Sequence, residues 1–172
     1  MQALKYDETN AKLCYQLGII YCKMNEFPLA KKCFEKTVEN DSNLYNAYCR
    51  LGQIALLYRD IEAAEKNFLL SMYGETEGKS YFELAKIYMI KNDKTKAKMY
   101  INNAINYDAK YYKTIENEPI FLPIKNEIEK PKEDQENNNV TESEEEKEIS
   151  EYLDNTYDLT RILNEKENKG KK

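Results

Sequence analysis

Between residues 11 and 111 the apolar positions fall three and four apart, the spacing that gathers side chains on one face of an α-helix. Tyr48, Leu51, Ile54 and Ala55 form one such run, and Ile61, Ala64, Phe68 and Leu69 form the next. Polar breaks at Asn25-Glu26, Arg59-Asp60 and Asn92-Asp93 divide the runs into pairs. Asp60 and Asp93 stand where an N-cap side chain can accept backbone N–H bonds, and Pro28 suits a first helical turn. The pattern therefore predicts an all-α chain built from helix pairs.

The pairs repeat. Leu17-Gly18 returns as Leu51-Gly52 after 34 residues and as Leu84-Ala85 after a further 33. Tyr21, Ala55 and Tyr88 keep the same step, as do Ala30, Ala64 and Ala97. Phe34, Phe68 and Ile101 follow, and Thr37, Ser71 and Ala104 close the set. Three units result: 11–44, 45–77 and 78–111. The small residues allow helices to approach closely, and the large ones fill the space between them. One pair cannot bury its apolar face alone, so the units are expected to stack into a solenoid.

The pattern resembles the tetratricopeptide repeat. Unit one carries Leu17, Gly18, Tyr21, Ala30 and Phe34 at that family's positions; unit two carries Tyr48, Leu51, Gly52, Ala64 and Phe68; unit three carries Tyr81, Leu84, Tyr88, Ala97 and Ala104. Ser42, Thr76 and Ala109 replace the Pro that ends the family's repeat. The resemblance implies a right-handed α-solenoid whose first helices line a concave groove. By position, that groove takes Lys12, Tyr15, Ile19 and Cys22 from unit one. Asn46, Cys49, Arg50, Gln53 and Leu56 come from unit two, and Lys79, Phe82, Glu83, Lys86 and Met89 from unit three. A subclass of the family grips the terminal carboxylate of heat-shock chaperones with Lys, Asn and Arg. Tyr15, Ile19, Arg50, Lys79 and Glu83 hold those places here, so only Lys79 fits and that client is not expected.

Outside the units, Ala3-Leu4-Lys5-Tyr6-Asp7 lines up with Ala104-Ile105-Asn106-Tyr107-Asp108. Residues 1–10 thus read as the end of a truncated repeat helix, with more sequence expected upstream. Residues 110–130 read as capping helices, with Phe121 and Leu122 expected to seal the last pair. Residues 131–172 form an acidic tail expected to lack order, because 131–148 offer only Val140 as a clear aliphatic residue. Within it, Ile149, Tyr152, Leu153, Leu159, Ile162 and Leu163 recur near helical spacing, and Ser150 could cap a short helix over 149–163. That segment is a candidate for docking on a partner or in this chain's own groove.

Composition narrows the chemistry. The 172 residues include no His and no Trp, which removes imidazole catalysis and imidazole metal sites. Charged residues make up 33% and the formal net charge is −5, carried by the tail: 125–172 hold a net −6 and the rest +1. No basic stripe accompanies the 15 tyrosines, so core packing is a better account of them than stacking on nucleic acid. The four cysteines, at 14, 22, 33 and 49, form no CxxC pair and read as free thiols of a reducing, cytoplasmic setting. No apolar run is long enough to cross a membrane. No Gly-rich phosphate loop, catalytic constellation, metal site or cofactor motif is present. The chain is therefore expected to be a non-enzymatic adaptor or scaffold that binds a protein or peptide segment in the groove. The alternatives are a structural piece stacking end to end with other repeats, or the repeat fragment of a larger regulator or enzyme.

Overall fold

The computed structural model describes residues 10–74, 77–131, 148, 149, 152 and 153. The truncated helix expected over 1–10 falls outside them apart from Asn10, as does most of the acidic tail. Among the residues described up to 131, seven α-helices follow in order: α1 Ala11–Lys23, α2 Phe27–Asn40, α3 Tyr45–Leu57, α4 Ile61–Ser71, α5 Glu77–Ile90, α6 Lys94–Tyr107 and α7 Lys110–Glu116. A 3₁₀ segment, Pro119–Glu127, comes next. Each of α1, α3 and α5 packs along the helix that follows it, while α2 meets α3 and α4 meets α5. This is an all-α solenoid with contacts between neighbouring units.

The turns inside the three pairs are built alike. Asn25, Arg59 and Asn92 have φ of 63°, 59° and 60°. In the first, Asn25 N donates to Cys22 O at 3.0 Å and Glu26 N to Tyr21 O at 2.9 Å. The same two bonds run from Arg59 and Asp60 to Leu56 and Ala55, and from Asn92 and Asp93 to Met89 and Tyr88. Each is a Schellman closure that satisfies the last carbonyls of the first helix. The next residue but one begins the second helix: Asp60 accepts from Ala63 N and Asp93 from Lys96 N, each at 3.0 Å. Asn tolerates the left-handed region, whereas Arg59 carries a steric cost of about 1 kcal/mol there. Arg59→Gly is expected to raise stability by about 0.5–1 kcal/mol, read from the urea midpoint at constant slope. An unchanged or lower midpoint would show that the Arg59 side chain contributes more than its backbone costs.

The recurring small residues answer to specific rings. A Cβ on Gly18 would lie 2.7 Å from Phe34 Cε1, and one on Gly52 would lie 2.9 Å from Phe68 Cζ. Both phenylalanines are fully buried, so neither ring can yield cheaply. In unit three the pair becomes Ala85 with Ile101, where a slimmer side chain leaves room for a methyl. The ends of the pairs show a second exchange. Gly74 packs on Tyr45, with a Cβ placed 2.4 Å from Tyr45 Cβ; one unit later Gly78 packs on Tyr107, 2.4 Å from its Cδ1. The ring changes helix while the total volume is kept.

Ser71 Oγ and Ser80 Oγ share a 2.6 Å hydrogen bond in the core between α4 and α5, and Ser71 Oγ also lies 2.8 Å from Phe68 O. Both serines are fully buried, so this pairing satisfies groups that would be costly alone. Beyond α6, Ile115, Ile120, Phe121 and Ile124 join the core of units two and three. Pro119 and Pro123 lack N–H donors, which breaks the α-helical ladder and leaves a 3₁₀ path. Phe121 is buried within this cap, but Leu122 is 66% exposed and seals nothing. Turning from Phe121 to Leu122, the tight 3₁₀ path presents adjacent side chains to different sides.

Candidate functional site

The concave-face positions do not form an open trough. Of the residues expected there, Lys12 is exposed and Asn46 and Lys79 are half-buried. Tyr15, Ile19, Cys22, Cys49, Arg50, Gln53, Leu56, Phe82, Glu83, Lys86 and Met89 are all buried. Two parts of the same chain pack against the faces of units one and three.

At unit three the cover is α7 with the 3₁₀ segment. Phe82 stacks on Tyr111 with ring centroids 5.1 Å apart and meets Phe121 at 5.7 Å. Lys86 lies 4.7 Å over the Phe82 ring. Its ammonium sits 3.6 Å from Glu83 Oε1 and 3.3 Å from Glu118 Oε1. A cation held between two carboxylates and an aromatic face offsets the cost of burying Glu83. Deeper in the face, Arg50 Nη1 donates to Gln53 Oε1 at 3.0 Å. Phe82, Glu83 and Lys86 are thus committed to packing within the chain.

At unit one the cover comes from the tail. Glu148, Ile149, Tyr152 and Leu153 are helical, while Ser150, the expected cap, lies outside the described residues. Ile149 and Leu153, four apart and on one helical face, are buried at 2% and 0% exposure. They join a cluster with Tyr15, Ile19, Cys22, Phe34, Leu51 and Ile54. Tyr152 stacks on Phe27 at 6.4 Å, and its hydroxyl donates to Asn25 Oδ1. A cavity of about 260 Å³ remains beside the segment, lined by Cys22, Lys23, Glu148, Ile149 and Tyr152. It is smaller than the pockets that enclose most small ligands. Burial pushes the Cys22 thiol up to about 11 although Arg50 nearby opposes the shift, so the sulfur stays protonated and poorly nucleophilic. Burial also raises the Cys33 thiol.

Several of these residues have no marker in the repeat pattern. Asn25 was legible only as part of a polar break, and neither Phe27 nor Glu118 was singled out by the repeat. Tyr152 was legible with Ile149 and Leu153 as part of a candidate docking segment, but not its contacts with Phe27 and Asn25. A further clasp joins units two and three. Glu65 accepts from the Tyr88 hydroxyl and from the Lys91 ammonium. Burial opposes ionisation of Glu65, but the Lys91 and Tyr88 hydrogen bonds prevail and hold its carboxyl below the ordinary range. Tyr88 also stacks on Tyr100 at 5.3 Å, with Lys96 over its ring at 4.8 Å.

All four cysteines are free thiols. Among the described residues no group of three or more His, Cys, Asp or Glu side chains could hold a metal ion, and no helix is long and apolar enough to cross a membrane.

Helix pairs stacked on their neighbours in this way define an α-solenoid. Residues 11–44 and 78–111 match the family model for the tetratricopeptide repeat, and the intervening helix pair has the same closures and the same Gly–Phe contact. The two matched stretches make this a tetratricopeptide repeat protein over those residues. No curated protein and no solved structure matches it significantly. Such repeats are generally protein–protein interaction modules and are typically not catalytic.

Proposed function

We propose that the chain is a non-enzymatic adaptor that holds an amphipathic segment of a partner protein on the concave face of units one and two. The observation that carries this reading is the apolar surface of Tyr15, Ile19 and Cys22, which takes up the aliphatic side chains of a helical segment. Helix-in-groove recognition needs such a surface with anchors about one turn apart. The unit-three face is less suited, because α7 and the 3₁₀ segment already fill it. The free thiols support a reducing setting such as the cytoplasm.

Affinity capture from cell extract tests the reading, with the full chain compared with Ile19→Asp and Lys12→Glu. Circular dichroism must show that each variant is folded; Lys12 is exposed and its replacement leaves the core intact. A protein retained by the wild type and lost by both variants is the expected result. Identical captures from all three would refute groove binding.

A second reading, end-to-end stacking, is favoured by one feature of α1. Leu13 and Ile20 are 48% and 51% exposed, although their equivalents Ala47, Ile54, Ser80 and Ile87 are fully buried against a preceding unit. Sedimentation over a concentration series separates the two, since only stacking produces association that grows with concentration.

A further inference from the structure

We infer that Ile149, Tyr152 and Leu153 act as a tethered plug in the unit-one groove, and that the partner is an acidic helical segment carrying the same apolar pattern, which binds by displacing them. The inference rests on the adaptor reading and adds to it the chemistry of the partner and a means of regulation.

The plug occupies the groove as a ligand would. Its two aliphatic anchors lie on one helical face and reach residues of α1 and α3, while Tyr152 adds a ring on Phe27 and a hydrogen bond to the Asn25 turn. Two apolar anchors, one aromatic stack and one polar contact together read a pattern: an aliphatic residue, then Tyr-Leu three and four positions later. Charge agrees with this. Glu148, Glu151 and Asp154 flank the anchors, and Lys23 lines the same cavity as Glu148. Lys12 is exposed on α1, and Arg50 is near enough to Cys22 to affect its ionisation. The groove therefore favours an acidic segment over a basic one.

The arrangement is also suited to release. Only residues 132–147 separate the plug from the capped solenoid, and such a tether sets an effective concentration on the order of 1 mM. A plug that binds in trans with a Kd of about 100 μM would then be about 90% closed in cis, weakening partner binding about tenfold. Closure of this depth can be reversed by a partner of micromolar affinity.

The test uses the full chain and a fluorescent synthetic peptide of residues 145–157. Fluorescence anisotropy compares the wild type with Ile149→Ser/Leu153→Ser, whose changes lie outside the helix pairs. The double variant is expected to bind the peptide about tenfold more tightly than the wild type does. A peptide carrying the same two serines is expected not to bind. Alkylation of Cys22, followed by mass spectrometry, provides an independent readout. Cys22 should react faster in the double variant and be protected again by the peptide, while buried Cys14 should stay slow in both. Equal peptide affinities with equal Cys22 rates would overturn the proposal, as would a double variant that binds no peptide. Cys22 protection that rises with wild-type concentration would show the segment seated on a second copy, which also overturns the tethered reading. The adaptor reading fails separately. If capture depends on Ile19 and Lys12 but the peptide does not bind, the plug is wrong and the adaptor stands. If the peptide binds while captures are identical, the plug stands and the adaptor fails.

Discussion

Phe68→Ala is expected to cost about 3–5 kcal/mol, the range for a fully buried phenylalanine whose removal leaves a cavity that cannot collapse. Phe68 has no exposed surface and its ring lies against the bare Cα of Gly52, so no side chain is available there to refill the space. The position magnifies the effect. In a solenoid each unit is stabilised by its neighbours, and Phe68 belongs to the unit between the other two. Losing it weakens the α3–α4 pair and both interfaces that this pair makes. The total stability of a domain this size is about 5–15 kcal/mol, so one substitution removes a large share of it. Chemical denaturation read by circular dichroism checks the prediction. A loss below about 1 kcal/mol would mean that α3 and α4 close over the cavity, contrary to the tight contact at Gly52. Phe68→Leu should be milder and should tolerate Gly52→Ala better than the native ring does, because the pair in unit three is already Ile101 with Ala85.

Phe121→Ala is expected to unlatch the C-terminal cap without unfolding the solenoid. Phe121 is fully buried and meets Phe82, and with Ile120 and Ile124 it anchors the 3₁₀ segment. Truncation again removes about 3–5 kcal/mol of packing, but from a short terminal element with few other ties. Lys86–Glu118 and Lys98–Glu127 cross between this element and the helix pairs. The latter pair is largely exposed and too weak to hold the segment. Local opening should therefore precede global unfolding. Hydrogen exchange should show protection lost across 110–128 while α1 to α4 keep theirs, and Phe82 should become available to a hydrophobic dye. Uniform loss of protection along the chain would show instead that the cap is an integral part of the cooperative unit.

Much of the fold was legible because its causes are local and repeated. Helical spacing marked the helices, Asp60 and Asp93 marked their starts, and the step of 33 or 34 residues showed which helices were equivalent. Gly18 and Gly52 could be read as close approaches, but not as sites facing Phe34 and Phe68. The exchange between Tyr45–Gly74 and Gly78–Tyr107 was not legible, since a ring moving from one helix to the next breaks the positional match while preserving volume. Leu122 was misread because a hydrophobic pair gives no sign of which member a 3₁₀ turn buries.

The site was legible in part. Repeat position marked out candidate residues for the inward face but could not tell whether they would be covered. That depended on contacts far apart along the chain: Phe82 with Phe121, Lys86 with Glu118, and Asn25 with Tyr152, 127 residues away. The sequence by itself determined an all-α solenoid of helix pairs, because helix periodicity, turn closure and repeat spacing each depend on nearby residues. Only the tertiary structure decided that the chain covers its own inward face, because that outcome depends on which distant apolar segments fit the surfaces the repeats leave exposed.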